Sequence, residues 1–160
     1  EHGFAIRFIE FMDVGNANHW QSEKIVSKQE IIQTIDKCFP LQEIGRKGGN
    51  APSVDYRCID GAGANIGVIA SVTEPFCSSC TRARLTADGK LVTCLFSNTG
   101  HNLKVLLRGG MTDEKLLGVL RNVWLQRKDR YSEERLAALR SGTGYDPKEH
   151  KKIEMISLGG

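Results

Sequence analysis

The stretch F-C-S-S-C-T-R-A-R-L-T-A-D-G-K-L-V-T-C, from Phe76 to Cys94, sets the reading of this chain. Cys77 and Cys80, with two serines between them, put two thiolates within reach of one metal centre. Ala87, Asp88, Gly89 and Lys90 then signal a hairpin, because Asp-Gly supplies the positive φ angles of a two-residue turn. Such a turn pairs Leu91 with Thr86, sets Cys94 opposite Ala83 and folds a third thiolate back onto the pair. Arg82 and Arg84 share one face of the incoming strand, and arginine forks match phosphate oxygens bidentately. Solvent-facing arginines are the commoner outcome in general; the metal centre beside these two favours phosphate.

Thiolates suit iron–sulfur clusters and zinc alike, so the number of ligands has to separate them. A structural zinc site wants four. Cys58 and His101 are the local candidates for a fourth, and neither has the paired spacing of a zinc knuckle. Three cysteines can hold a four-iron cluster and leave one iron open. Spacing alone leaves the cluster and the zinc site both open, with three metal-free core cysteines as a third reading. Cys38 and Cys58 stand apart in apolar segments and are expected to be structural.

Working outward, 160 residues fit one ordinary domain or the end of a larger one. Hydrophobic residues make up 40% and charged residues 26% of the chain, which is the composition of a soluble globular protein. A net charge of +3 is too mild for a nucleic-acid coat but allows a local phosphate pocket. The longest aliphatic run, residues 66–70, is too short to span a membrane. Five cysteines, three of them clustered, argue against a disulfide framework and for a metal in a reducing compartment, hence the cytoplasm. The first residues, E-H-G, carry no signal core, and the chain reads as cut from something longer.

Residues 4–12 read as a buried strand whose Arg7 and Glu10 need partners. Ser27 with Glu30 forms a capping box ahead of a helix with Ile31, Ile32 and Ile35 as its buried stripe, and Pro40 ends it. A loop at 46–50 leads to strands at 54–59 and 65–71. The glycines at 61 and 63 between them are not a dinucleotide fingerprint, since a strand follows where a helix is needed. Helices are expected over 101–108, closed by Gly109 and Gly110; from Thr112, with Leu116, Leu117, Leu120, Val123 and Trp124 on one face; and over 132–140. Residues 141–152 read as a mobile loop and 153–158 as a short strand before Gly159 and Gly160.

Taken together, R-F-I-E-F-M-D-V-G-N from Arg7, F-C-S-S-C-T-R-A-R-L from Phe76, C-L-F from Cys94, D-R-Y-S-E-E-R from Asp129 and the terminal Gly-Gly resemble the C-terminal part of the GTP 3′,8-cyclase family. Members are radical S-adenosylmethionine enzymes that begin molybdenum cofactor biosynthesis. The resemblance implies an α+β fold: the terminal strand and helix of a partial TIM-type barrel over residues 1–39, then an antiparallel-sheet and helix domain over 40–160 that carries an auxiliary [4Fe-4S] cluster. It implies Cys77, Cys80 and Cys94 as ligands of that cluster, with its open iron on the guanine of GTP. Arg82, Ala83 and Arg84 match the family's substrate-contacting segment, and Met12 matches a residue lining the S-adenosylmethionine pocket. Arg7 and the tail Gly159 and Gly160 match positions facing the active site.

The family's N-terminal C-x3-C-x2-C, which holds the cluster that cleaves S-adenosylmethionine, is absent from these residues. The resemblance therefore implies dependence on a missing N-terminal radical region and no activity of this chain alone. In the family the radical removes hydrogen from C3′ of GTP, and that carbon attacks C8. A homodimer of the full-length enzyme is an expectation of the same kind. The rivals are a zinc-stabilised binding module and the auxiliary-cluster domain of a peptide-modifying radical enzyme, which would carry more clustered cysteines.

Overall fold

The computed structural model describes residues 4–59 and 65–158. The fold is mixed α+β, and it forms two compact units. The first comprises Glu1–Met12, Trp20–Thr81 and Ser132–Tyr145; the second comprises Asp13–His19, Arg82–Tyr131 and Asp146–Gly160.

In the first unit, β1 (Ile6–Ile9), β2 (Leu41–Gly45), β3 (Val54–Cys58) and β4 (Asn65–Ile69) form one sheet in the order β1-β4-β3-β2. The two strands expected at 54–59 and 65–71 are β3 and β4, which run antiparallel, and β1 joins β4 in parallel. The glycines at 61 and 63 lie outside the described residues. Alternation puts Val54, Tyr56, Ile66 and Val68 on one buried face, against which Phe8 and the α1 (Lys28–Asp36) residues Ile31, Ile32 and Ile35 pack. The helix starts where the capping box places it: Ser27 Oγ accepts from the Glu30 amide at 3.2 Å, and the Glu30 carboxylate accepts from the Ser27 amide at 2.8 Å.

The expected buried strand over residues 4–12 is shorter and lies at the sheet edge, with Ile6 56% and Ile9 54% exposed. Branched residues report fitness for a pleated surface, and the burial of a strand depends on what covers each face. Glu10, just past β1, is buried and finds the partners its charge demands. Its carboxylate accepts from the amides of Lys28, Val72 and Thr73 at 2.8–2.9 Å and from the Thr73 hydroxyl. One carboxylate thereby ties β1 to the first turn of α1 and to the segment after β4. Helix α4 (Tyr131–Ser141) contributes buried Arg135, which donates to the Ser71 carbonyl at 2.7 Å.

In the second unit, β5 (Arg84–Leu85), β6 (Lys90–Val92) and β7 (His101–Asn102) make a small antiparallel sheet joined to α2 (Leu103–Arg108) and α3 (Asp113–Leu125). The predicted two-residue turn is a three-residue one. Arg84 pairs with Val92 and Leu85 with Leu91, which leaves Ala87, Asp88 and Gly89 between Thr86 and Lys90. The Thr86 hydroxyl accepts from the Lys90 amide at 2.9 Å and so fixes the longer loop, with Gly89 at φ 84 completing it. A Cβ on Gly89 would also lie 2.7 Å from that of Lys104.

Lys90 at 2.8 Å and the Thr86 hydroxyl hold the Asp88 carboxyl down to about 2. A depressed carboxyl stabilises the fold above its unfolded pKa, and that contribution fades as the pH falls towards about 2.

Three further expectations change in this unit. His101 and Asn102 form a strand, and Asn102 instead caps α2 by accepting from the Val105 amide at 3.2 Å. Thr112 occupies the cap position of α3 without a side-chain cap bond, and Leu117 and Trp124 on that helix are exposed. Residues Met155–Leu158 form a 3-10 turn where a strand was expected, since no neighbouring strand pairs with them among the described residues.

The polar stretch expected to be a mobile loop is anchored at its end. Lys152 is buried with its ammonium 3.3 Å from buried Asp13, which also accepts from the Tyr131 hydroxyl. Asn16 brackets the Lys152 backbone, donating to its carbonyl at 2.8 Å and accepting from its amide at 2.9 Å.

Candidate functional site

In the first unit, Cys77–Ser79 is one turn of 3-10 helix, closed by the Cys80 amide on the Cys77 carbonyl at 3.2 Å. A short turn brings two thiols to one side of the chain, and both are half-buried. Three contacts brace it. The Arg46 guanidinium lies 4.8 Å from the centre of the Phe76 ring, and it donates to the Ala51 and Pro52 carbonyls at 2.8 and 2.5 Å. Asn50 reaches Thr81 at 3.5 Å, and the Glu133 carboxylate accepts from the Ser78 amide at 3.2 Å. Arg46 carries no motif of its own, and Glu133 belongs to D-R-Y-S-E-E-R, whose spacing does not tie it to the cysteines. Only their partners in space reveal them.

Arg7 pairs with Gly67 in the β1/β4 ladder and reaches Asp55 at 3.5 Å, while Asp55 accepts from the Ser53 hydroxyl at 2.8 Å. The guanidinium crosses the sheet over Gly67. A Cβ there would lie 2.6 Å from one Arg7 nitrogen and 2.2 Å from the Ser53 hydroxyl oxygen. Gly67→Ala is therefore expected to destabilise the chain by about 1–3 kcal/mol through overpacking and to displace Arg7. Urea denaturation measures this, and an unchanged midpoint contradicts it. Met12 follows this strand and is half-buried.

In the second unit, Cys94 lies in a turn beyond β6, where the Ser97 amide donates to the Cys94 carbonyl at 3.2 Å. The expected ladder position opposite Ala83 is not formed, because the three-residue loop shifts the register by one and pairing stops at Arg84 with Val92. The same short ladder leaves Arg82 and Ala83 ahead of β5, exposed, with Arg84 alone of the two arginines on the strand. Neighbours fix the Cys94 turn. The Thr93 hydroxyl donates to Asp129 at 2.7 Å, Arg127 reaches the same carboxylate oxygen at 2.9 Å, and Phe96 stacks on Tyr131 with ring centres 4.4 Å apart. The D-R-Y run thus supports the third cysteine's segment.

Gly159 and Gly160 lie outside the described residues. Among the described residues, no three His, Cys, Asp or Glu side chains are gathered around one point. As a donor set, three half-buried thiols suit a soft metal centre, and two of them share one turn. Cys58 is buried in β3 and Cys38 is exposed after α1. No helix among the described residues is long and apolar enough to cross a membrane.

Residues 4–133 match the family described as Molybdenum Cofactor Synthesis C. The chain is 47% identical over 135 residues to a GTP 3′,8-cyclase of Synechococcus sp. (strain WH7803), covering 84% of this chain and 38% of that relative. It is 43% identical over 156 residues to a GTP 3′,8-cyclase of Staphylococcus aureus (strain JH9), covering 97% of this chain and 44% of that relative. The chain spans less than half the length of these relatives. Since the family match runs over the two motifs that bear all three clustered cysteines, the chain belongs to the Molybdenum Cofactor Synthesis C family.

Proposed function

We propose that this chain serves as the substrate-holding part of a GTP 3′,8-cyclase, the enzyme that converts GTP to 3′,8-cyclo-7,8-dihydroguanosine triphosphate in molybdenum cofactor biosynthesis. One observation carries the reading: C-S-S-C-T-R-A-R and the later cysteine stand within a stretch about half identical to proteins of that name. Cys77, Cys80 and Cys94 would hold an auxiliary [4Fe-4S] cluster. Bound by three thiolates, such a cluster supplies one iron with an open position for a purine donor.

The chain's own residues bind and orient. Arg82 and Arg84 fix the triphosphate with charge-assisted forks, and the backbone at Ala83 lies between them. Arg7, held across Gly67 by Asp55, presents a further positive charge to the substrate. Met12 belongs to the S-adenosylmethionine pocket, and Gly159 and Gly160 are assigned a part in the reaction, for which glycine is suited because it lets backbone come close to a ligand. Orientation of this kind accounts for a large share of catalysis in reactions that hold a reactive intermediate.

Under this reading residues 1–39 are the last strand and helix of a partial barrel and 40–160 the auxiliary-cluster and GTP-binding domain. The radical comes from an N-terminal radical S-adenosylmethionine region outside these residues, so this chain alone is inactive. The complete enzyme works in the cytoplasm, as a homodimer, without nucleic acid or membrane. Alanine at Arg82 or Arg84 in the complete enzyme is expected to weaken GTP binding by about 1–3 kcal/mol, the range for hydrogen bonds to charged groups. Equilibrium dialysis with GTP measures it, and unchanged affinity in both variants refutes the phosphate role.

A further inference from the structure

The charges and hydrogen bonds around a C-x-x-C turn set both the arrangement of its thiols and the reduction potential of a cluster they hold. Within this turn the Cys80 amide is taken by the Cys77 carbonyl at 3.2 Å. The Ser78 amide is taken from outside, by the carboxylate of Glu133 on the first turn of α4, also at 3.2 Å. Glu133 lies two positions past Tyr131, in the same helix whose Arg135 is anchored to the Ser71 carbonyl. The carboxylate is thus delivered by a fixed element.

We propose that Glu133 is a positioning residue for the Cys77–Cys80 turn, one that clamps the Ser78 amide and sets a carboxylate beside the two thiols. The proposal rests on the cluster reading above. It has two physical consequences. Clamping the amide holds the two thiols in one arrangement opposite the Arg46–Phe76 brace, so the pair is preorganised for its metal. The Glu133 carboxylate also puts negative charge beside the ligands, which keeps the potential of a bound cluster low.

The first test uses the metal-free 160-residue chain under reductant, with amide exchange at Ser78 followed by nuclear magnetic resonance. Glu133→Ala is expected to speed that exchange about tenfold, the loss of one charge-assisted bond. Glu133→Gln keeps a carbonyl acceptor at the same reach and restores slow exchange, which separates loss of the clamp from a folding defect. Equal exchange in all three proteins overturns the clamp.

The second test uses the complete enzyme loaded anaerobically with iron and sulfide and titrated with dithionite. The auxiliary cluster of Glu133→Ala is expected to reduce at a higher potential than wild type at equal iron content. Equal potentials overturn the tuning role. Iron retained by Cys94→Ser would instead sink the cluster reading, while the Ser78 exchange result would still stand or fall by itself.

Discussion

Replacing Cys94 by serine is expected to strip the auxiliary site of its iron. Cys77 and Cys80 share a single turn, and under the proposed reading the third thiolate would complete the minimum set for a four-iron cluster. A serine alkoxide is a hard donor with a far higher pKa, so it does not replace thiolate on iron at neutral pH. The Cys94 turn is held independently by Thr93 on Asp129 and by Phe96 on Tyr131, so the substitution leaves the surrounding fold intact. Serine at Cys38 or Cys58 is expected to leave iron content unchanged, since one is exposed after α1 and the other is buried in β3. Iron and acid-labile sulfide per chain, measured after anaerobic reconstitution, check all three variants.

The second large effect concerns stability. Lys152→Ala is expected to cost about 3–5 kcal/mol, because it breaks a buried ion pair by removing one partner. The side chains of Lys152 and Asp13 are 1% and 0% exposed and 3.3 Å apart. Lys152 also donates to the Pro147 carbonyl at 3.3 Å and lies 5.4 Å from the centre of the Tyr131 ring. Its loss therefore also removes the tie to Pro147, while Asn16 still holds the backbone of residue 152. Chemical denaturation of the single variant and of Asp13→Ala/Lys152→Ala measures the coupling. The double variant is expected to be less destabilised than the sum of the singles, since the Asp13–Lys152 attraction is lost only once. Simple additivity would show that the pair is not coupled.

The contrast between these two residues explains what could be read in advance. Cys94 could be singled out as a candidate because thiol chemistry at a fixed spacing is local information, and the Ser27 and Glu30 capping box that opens α1 was legible on the same ground. Lys152 was not. It sits in a polar, glycine-containing stretch that reads as loop, and its partner Asp13 lies near the other end of the chain. Partner choice over such distances has no periodicity to betray it.

Two other departures have equally local causes. The hairpin loop is longer by one residue because the Thr86 hydroxyl caps it, a competition between side chain and ladder that Asp-Gly counting misses. That single residue shifted the register away from Cys94 opposite Ala83, and the ladder ends at Arg84 with Val92, short of Arg82. At β1, the apolar residues correctly signalled a strand, but sheet order decided that Ile6 and Ile9 would stay exposed.

Anaerobic analysis of iron and acid-labile sulfide, with the visible spectrum recorded with and without GTP, tests the central claim most directly. The account predicts a brown protein with about four iron and four sulfide per chain at this site, whose spectrum changes when GTP is added. A colourless protein that retains zinc and no labile sulfide, and whose spectrum is indifferent to GTP, would contradict it.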